Sequence, residues 1–323
     1  MRLYRIKAVT WAMLFMLFAL VAPSPGHAQD KLVVLLDWFV NPDHAALIVA
    51  RDNGFFAQYD LNVDLIAPAD PNDPPKLVAA KQADLAVSYQ PHLHLAADQE
   101  LPLMRVGTLI SSPLNSLVVL ADGPIQKLAD LKGKRIGYSV GGFESALLGA
   151  MLHQAGLTVD DVTLINVNWS LSPSLIAGQT DAVIGAFRNF ELNQMDLEGH
   201  PGRAFLPEDH GVPLYDELIL LAHPDTVAAE DSRLPRFLAA LRDATAFIQS
   251  NPDAAWKIFI QDDPSLDDDL NQRAWRDTVP LLAADPIQLD RDRYQAFAAF
   301  MKQAGLTQTV PPLDSYAVQV SLP

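Results

Sequence analysis

Residues 31–52 read KLVVLLDWFVNPDHAALIVARD. Lys31 to Leu36 is a short apolar run closed by Asp37, the mark of a buried strand. His44 to Asp52 carries its apolar residues at helical spacing and stops at Gly54. A strand followed at once by a helix is one βα unit, and the chain on either side repeats it. Leu61–Ile66 alternates as a strand, 75–82 reads as a helix, and 83–88 (ADLAVS) as another buried strand. Further strands are predicted at Leu117–Leu120, Arg135–Tyr138, Val162–Val167 and Asp181–Ala186, with helices over Ser145–Gln154 and Pro173–Ala177. Strands alternating with helices of about ten residues imply an α/β protein with parallel sheets covered on both faces. After a last strand at Ile219–Ala222 the pattern changes to amphipathic helices near Ser232–Ser250, Pro252–Ile260, Asp268–Leu282 and Arg291–Ala304. With no strand between them, these are expected to pack as an all-helical C-terminal extension.

The chain has 323 residues, of which half are hydrophobic, so it should fold; single cores stop growing at roughly 250–300 residues, which favours two lobes. It contains no Cys, which removes disulfides, thiolate metal sites and cysteine nucleophiles. Its net charge is −16 and no basic stripe stands out, so nucleic acid is not an expected partner. At the start, Arg2, Arg5 and Lys7 precede an apolar run from Ala8 to Ala22 and a small-residue site at Gly26-His27-Ala28, the pattern of a cleaved export signal over residues 1–28. The expected product is a soluble periplasmic protein of charge near −19. A lipid anchor would need a Cys after the cleavage site, and there is none.

Several short motifs could carry chemistry. Gly137-Tyr138-Ser139-Val140-Gly141 matches G-x-S-x-G between a predicted strand and helix, as the nucleophile elbow of a serine hydrolase built on Ser139 would. Against that reading, the HGGG-type oxyanion element is missing and no downstream Asp and His stand out as partners. The same turn has a second use, because Gly141 and Gly142 let the backbone approach a ligand closely. His92-Leu93-His94 lacks helical facing and an acidic partner, so surface or capping histidines are expected there and no metal site. The run Asp262–Asp269 reads as a solvated helix start.

The ends of the predicted strands carry a different signal. Asp37, Trp38, Phe39, Asn41, Asp43 and His44 follow the first strand, and a Trp and Phe there could also be ordinary core. Tyr89 and Gln90 follow ADLAVS, Asn115 precedes SLVVL, Gly141-Gly142-Phe143-Glu144 follows RIGYS, and Arg188-Asn189-Phe190-Glu191 follows AVIGAF. In open α/β sheets ligands bind at the carboxyl ends of strands, so aromatics and amides at so many ends point to one cleft.

Four long strings, LDWFVNPDHAALIVARDNGFF (36–56), PADPNDPPKLVAAKQADLAVSYQPHLHLA (68–96), LADLKGKRIGYSVGGFESALLGAML (128–152) and VNWSLSPSLIAGQTDAVIGAFRNFELNQMDLEGHP (167–201), resemble the thiamine-pyrimidine branch of the substrate-binding proteins of ABC transporters. The resemblance covers residues 31–225 closely and the rest loosely. It implies a type II periplasmic-binding-protein fold: two α/β lobes joined by two crossing strands, placed near Ser116–Leu120 and Leu218–Ala222. Residues 29–117 and 219–323 would then form the first lobe, and 118–218 an inserted second lobe. It also implies a binding protein with no catalytic step and no cofactor. Such a protein acts as a monomer, delivering a formylaminopyrimidine precursor of thiamine to a permease and its ATPase subunit. A sister branch shares the fold but is a pyrimidine synthase that consumes bound pyridoxal phosphate and a histidine, and its chemistry depends on a cysteine cluster that this chain lacks. The wider superfamily also includes binders of sulfonates and other small ligands.

By that resemblance and by position, Trp38 would stack on the pyrimidine, with Tyr89 or Phe190 on the opposite face. Glu191 would accept from the ring amine, unless it instead pairs with Arg188. Asn41, Asn115 and Asn189 would orient the remaining edges, and Gly141 and Gly142 would receive the formylaminomethyl arm. Base–aromatic stacking contributes roughly 1–3 kcal/mol per contact, whereas a ~1 μM complex needs about −8 kcal/mol, so the polar anchor is essential.

Overall fold

A computed structural model describes residues 29–322; the export signal expected over 1–28 lies outside the described residues. The first segment runs β1 (Asp30–Leu35), a 3-10 turn (Pro42–His44), α1 (Ala45–Asp52), α2 (Phe55–Gln58), β2 (Leu61–Ile66), α3 (Pro74–Ala79), β3 (Leu85–Ser88), α4 (Gln90–Asp98) and β4 (Met104–Ile110). The second runs β5 (Asn115–Leu120), β6 (Arg135–Tyr138), α5 (Phe143–Gln154), β7 (Thr163–Asn166), α6 (Leu171–Ile176), β8 (Ala182–Phe187), α7 (Glu191–Leu197) and β9 (Gly202–Phe205). The chain then returns as β10 (Leu218–Ala222) and finishes in α8 (Pro224–Ala228), α9 (Arg233–Ser250), α10 (Pro252–Phe259), α11 (Asp269–Thr278) and α12 (Arg291–Gln303).

Two five-stranded sheets result, ordered β2-β1-β3-β10-β4 and β7-β6-β8-β5-β9. The passage between them takes residues 111–114 on the way out and 206–217 on the way back. The whole of Asn115–Leu120 pairs within the second sheet and the whole of Leu218–Ala222 within the first. Neither sheet is purely parallel, contrary to the sequence reading. β1 is parallel to β2 and β3, and β6 to β7 and β8, but β10 and β5 run antiparallel to both their neighbours. The reason is topological: β5 and β10 enter from the other lobe and not through a covering helix, so no right-handed βαβ crossover dictates their direction.

The C-terminal helices are not a separate cap. α9 lies on α1 and α2, with Phe237 stacked 5.0 Å from Phe56 and Phe247 5.9 Å from Phe55, and forms the outer layer of the first lobe. Burying side chains such as Phe237, Leu238 and Leu241 contributes about 1.5–3 kcal/mol each. The chain end is tied to the rim of the first sheet by the fully buried Arg105 of β4, which donates to the carbonyls of Ile287 (3.1 Å), Val318 (3.2 Å) and Gln288, and to Thr108 Oγ1 (2.8 Å). Among the described residues no helix is long and apolar enough to cross a membrane.

Candidate functional site

The carboxyl ends of β1, β3, β6 and β8 face one another across the gap between the sheets. They enclose a narrow cavity lined by Asp37, Trp38, Asn41, Asp43, His44 and Tyr89 from the first lobe and by Ser139, Val140, Glu144, Leu171, Gly185, Phe187, Phe190 and Glu191 from the second. The walls touch around it. Trp38 lies 4.4 Å from Trp169, Phe39 5.8 Å from Phe190, Tyr89 stacks 4.6 Å from Phe143, and the Gly141 N–H donates to Asn72 Oδ1 at 2.8 Å.

The first wall is a cap motif. Asn41 takes an extended backbone and its Oδ1 accepts from the Asp43 N–H (2.8 Å), while Pro42 supplies a pre-set φ at the first position of the 3-10 turn. That turn brings His44 against Asp37. The Asn41 N–H donates to His44 Nδ1 (3.4 Å), which leaves the proton on Nε2 to be donated to Asp37 Oδ1 (2.9 Å). Asp37 Oδ2 accepts from the Tyr89 hydroxyl (2.8 Å), and burial together with this neighbour holds the Tyr89 pKa well above its ordinary value. Asp43 Oδ1 accepts from Asn189 Nδ2 (2.6 Å) and Thr278 Oγ1 (3.0 Å), a knot that joins both lobes and α11; burial pushes its pKa up to about 6.

The second wall presents two glutamates from the first turns of α5 and α7. Glu144 Oε2 accepts from the Ser139 N–H (2.8 Å) and Glu191 Oε2 from the Phe187 N–H (2.6 Å). Burial raises each to about 8, outweighing the backbone N–H groups that favour the ionised form. Neither has a cationic partner among the described residues. Arg188, the alternative partner for Glu191, instead forks onto Glu208 at 2.6 and 3.1 Å.

Five of the nine residues expected in the site, Trp38, Asn41, Tyr89, Phe190 and Glu191, line the cavity; Asn115, Gly141, Gly142 and Asn189 do not. Asn115 sits behind the wall, its Oδ1 accepting from the Gly185 N–H (3.2 Å). Asn189 is committed to Asp43 and to Thr278 (2.7 Å). Gly142 opens onto a separate surface groove beside Ser145 and His153, and the Gly141 N–H is held by Asn72. Asp37, Asp43, His44 and Glu144 belong to segments picked out by the strand-end rule, but a preference for aromatics and amides passed over them. The Ser139 hydroxyl donates to the Asn168 carbonyl and to no histidine, which takes away the hydrolase geometry. His92 and His94 lie within α4, His92 half-buried and His94 buried. His94 packs 5.3 Å from Phe297, and burial lowers the pair to about 4 and about 3, so both are neutral parts of the packing.

Two α/β lobes with a cavity at the facing strand ends define the periplasmic-binding-protein fold. The alkanesulfonate-binding protein of Xanthomonas axonopodis pv. citri, solved with MOPS bound, superposes with a TM-score of 0.69 at 17% identity over 90% of this chain and 99% of that one. The chain belongs to the NMT1/THI5-like family, whose model matches residues 41–255. It is 55% identical over 302 residues to a Haemophilus influenzae protein named "Putative thiamine biosynthesis protein" (93% of this chain, 96% of the relative). It is 33% identical over 283 residues to the formylaminopyrimidine-binding protein of Halalkalibacterium halodurans (87% and 86%). Pyrimidine phosphate synthases of the family match at lower identity, as in Legionella pneumophila at 26% over 269 residues (82% and 84%).

Proposed function

We propose that this chain is the substrate-binding component of an ABC importer, exported to the periplasm, where as a monomer it captures a thiamine-precursor aminopyrimidine and hands it unaltered to a permease with its ATPase subunit. The observation that carries this reading is the composition of the cavity wall: aromatic Trp38, Tyr89 and Phe190 beside the acids Asp37, Asp43, Glu144 and Glu191, with neither Lys nor Arg among the lining residues. A flat heterocycle with an exocyclic amine and a protonatable ring nitrogen satisfies both the faces and the acids. A sulfonate or the phosphate of pyridoxal phosphate would meet buried carboxyl groups and no cation in this wall, which argues against both the sulfonate binder and the synthase. The ligand named for the Halalkalibacterium relative, formylaminopyrimidine, has the required chemistry. Closure of the lobes is a population shift driven by a ligand that touches both walls together.

Calorimetric titration of the mature protein with formylaminopyrimidine, hydroxymethylpyrimidine, thiamine and taurine tests the assignment. Tight 1:1 binding of formylaminopyrimidine and silence with taurine are expected. No heat with any pyrimidine, or saturable binding of taurine, would end it.

A further inference from the structure

The turn between β6 and α5 brings Ser139, Val140 and Glu144 onto the cavity wall. A strand that enters a helix through two glycines leaves backbone N–H groups at the positive end of the helix, where an oxyanion is readily held. In the strand-to-helix turn just ahead of α5, the N–H groups nearest the cavity are occupied by the chain itself. The Ser139 N–H donates to Glu144 Oε2 at 2.8 Å, the Val140 N–H also acts on that carboxyl group, and the Gly141 N–H is taken by Asn72. Glu144 is only 3% exposed. Space for it is kept by Gly185, whose φ of +100° suits glycine and at which a Cβ would fall 2.4 Å from Glu144 Oε1 and 2.6 Å from its carboxyl carbon. A side chain folded back onto the turn and a neighbour without a side chain are two separate features serving one arrangement.

We infer that Glu144 is the residue that sets the charge class of the ligand: its carboxyl group occupies the donors that would otherwise hold an oxyanion, and so confines the cavity to neutral and cationic heteroaromatics. The inference rests on the reading of this cavity as the ligand site. It is tested with inorganic sulfate and methanesulfonate as probes, titrated into the full chain and its variants. Wild type is expected to show no saturable binding, whereas Glu144→Ala gains at least about tenfold in affinity for either anion. Glu144→Asp, one methylene shorter, gains less. Glu217→Gln, which alters a buried acid outside the lining, gains nothing. A folded Glu144→Ala that binds sulfate no better than wild type overturns the inference. If that variant does not fold, Glu144→Asp carries the same comparison. Wild-type crystals grown in concentrated sulfate provide an independent check, because an anion seated on the Ser139 N–H with Glu144 swung away would also overturn it. The pyrimidine titration of wild type separates the two ideas. If it fails while Glu144→Ala gains sulfate, the ligand assignment falls and the role of Glu144 stands; the reverse result removes only the role of Glu144.

Discussion

The two walls of the cleft both carry acids, yet they hold them in different ways. On the first wall Asp37 has a side-chain donor on each oxygen, His44 on one and Tyr89 on the other, and Asp43 is bound by Asn189 and Thr278. On the second wall Glu144 and Glu191 hydrogen-bond to backbone N–H groups and lack any side-chain partner of opposite charge. The first arrangement is a finished polar network and gives the wall its shape. The second is a pair of acids whose burial is uncompensated until something with donors or positive charge enters. A cavity with one completed and one uncompleted wall is built to be closed by its ligand.

Removing the flat face of the first wall should have the largest effect. Trp38→Ala gives up stacking on the ligand and its packing on Trp169, so affinity for formylaminopyrimidine should fall about 10- to 100-fold with the far-ultraviolet circular dichroism unchanged. Unaltered affinity would show that the indole only packs the hinge side of the cleft. Glu191→Gln sharpens the contrast from the other wall. It keeps the shape and the acceptor for the Phe187 N–H but removes the carboxyl group that a protonated ring would draw into its charged form, and a charge-assisted bond is roughly twice as strong as a neutral one, so a loss of about tenfold is expected by the same titration. A loss confined to the neutral hydroxymethylpyrimidine at high pH, with none at low pH, would show that the acid does not meet the protonated ring.

The same contrast explains which parts of this protein can be read from its sequence. β1, β3, β6 and β8 are buried apolar runs and declare themselves, and the rule that ligands gather at carboxyl ends of strands then marks the right segments. β4 is hidden because Arg105 and Gly107 interrupt MRVGTLI; the arginine is buried only because carbonyls some 180 residues away receive it. β9 (GRAF) is a half-buried edge strand with a Gly and an Arg at its start. α4 is disguised by QPHLH, since two histidines look polar until burial makes them neutral. At the site, Trp38, Asn41 and Tyr89 of the first wall line the cavity, and the expected residues that do not line it all come from the second segment. Asn189 has the right chemistry and the right strand end, but its amide is claimed by Asp43 and Thr278, partners 146 and 89 residues away. Glu191 is legible, because no side-chain partner among the described residues turns it from the cavity, whereas Glu144 on the same wall is not.

The smallest expected effect is on stability, and it follows from the same two glutamates. An unfolded Glu titrates near 4.3, while burial raises Glu144 and Glu191 to about 8 in the folded chain. Between those values the folded form binds more protons than the unfolded one, so these groups contribute stability in full below about pH 4 and lose it as pH rises through about 8. His92 and His94 act in the opposite sense. They are held neutral down to about 4 and about 3, so below about 6.5 the unfolded chain takes up protons that the folded chain refuses. The ligand-free protein should therefore weaken on both sides of mildly acidic pH, and only the alkaline side should depend on the second wall. Replacing Glu144 and Glu191 together by Gln should make that side shallower, with Asp43 (about 6) and Glu217 (about 7) supplying the slope that remains: the Tm of the double variant relative to wild type should rise steadily from pH 6 to pH 9. A difference independent of pH would mean that both acids already have partners in solution, and the distinction between the walls would be lost.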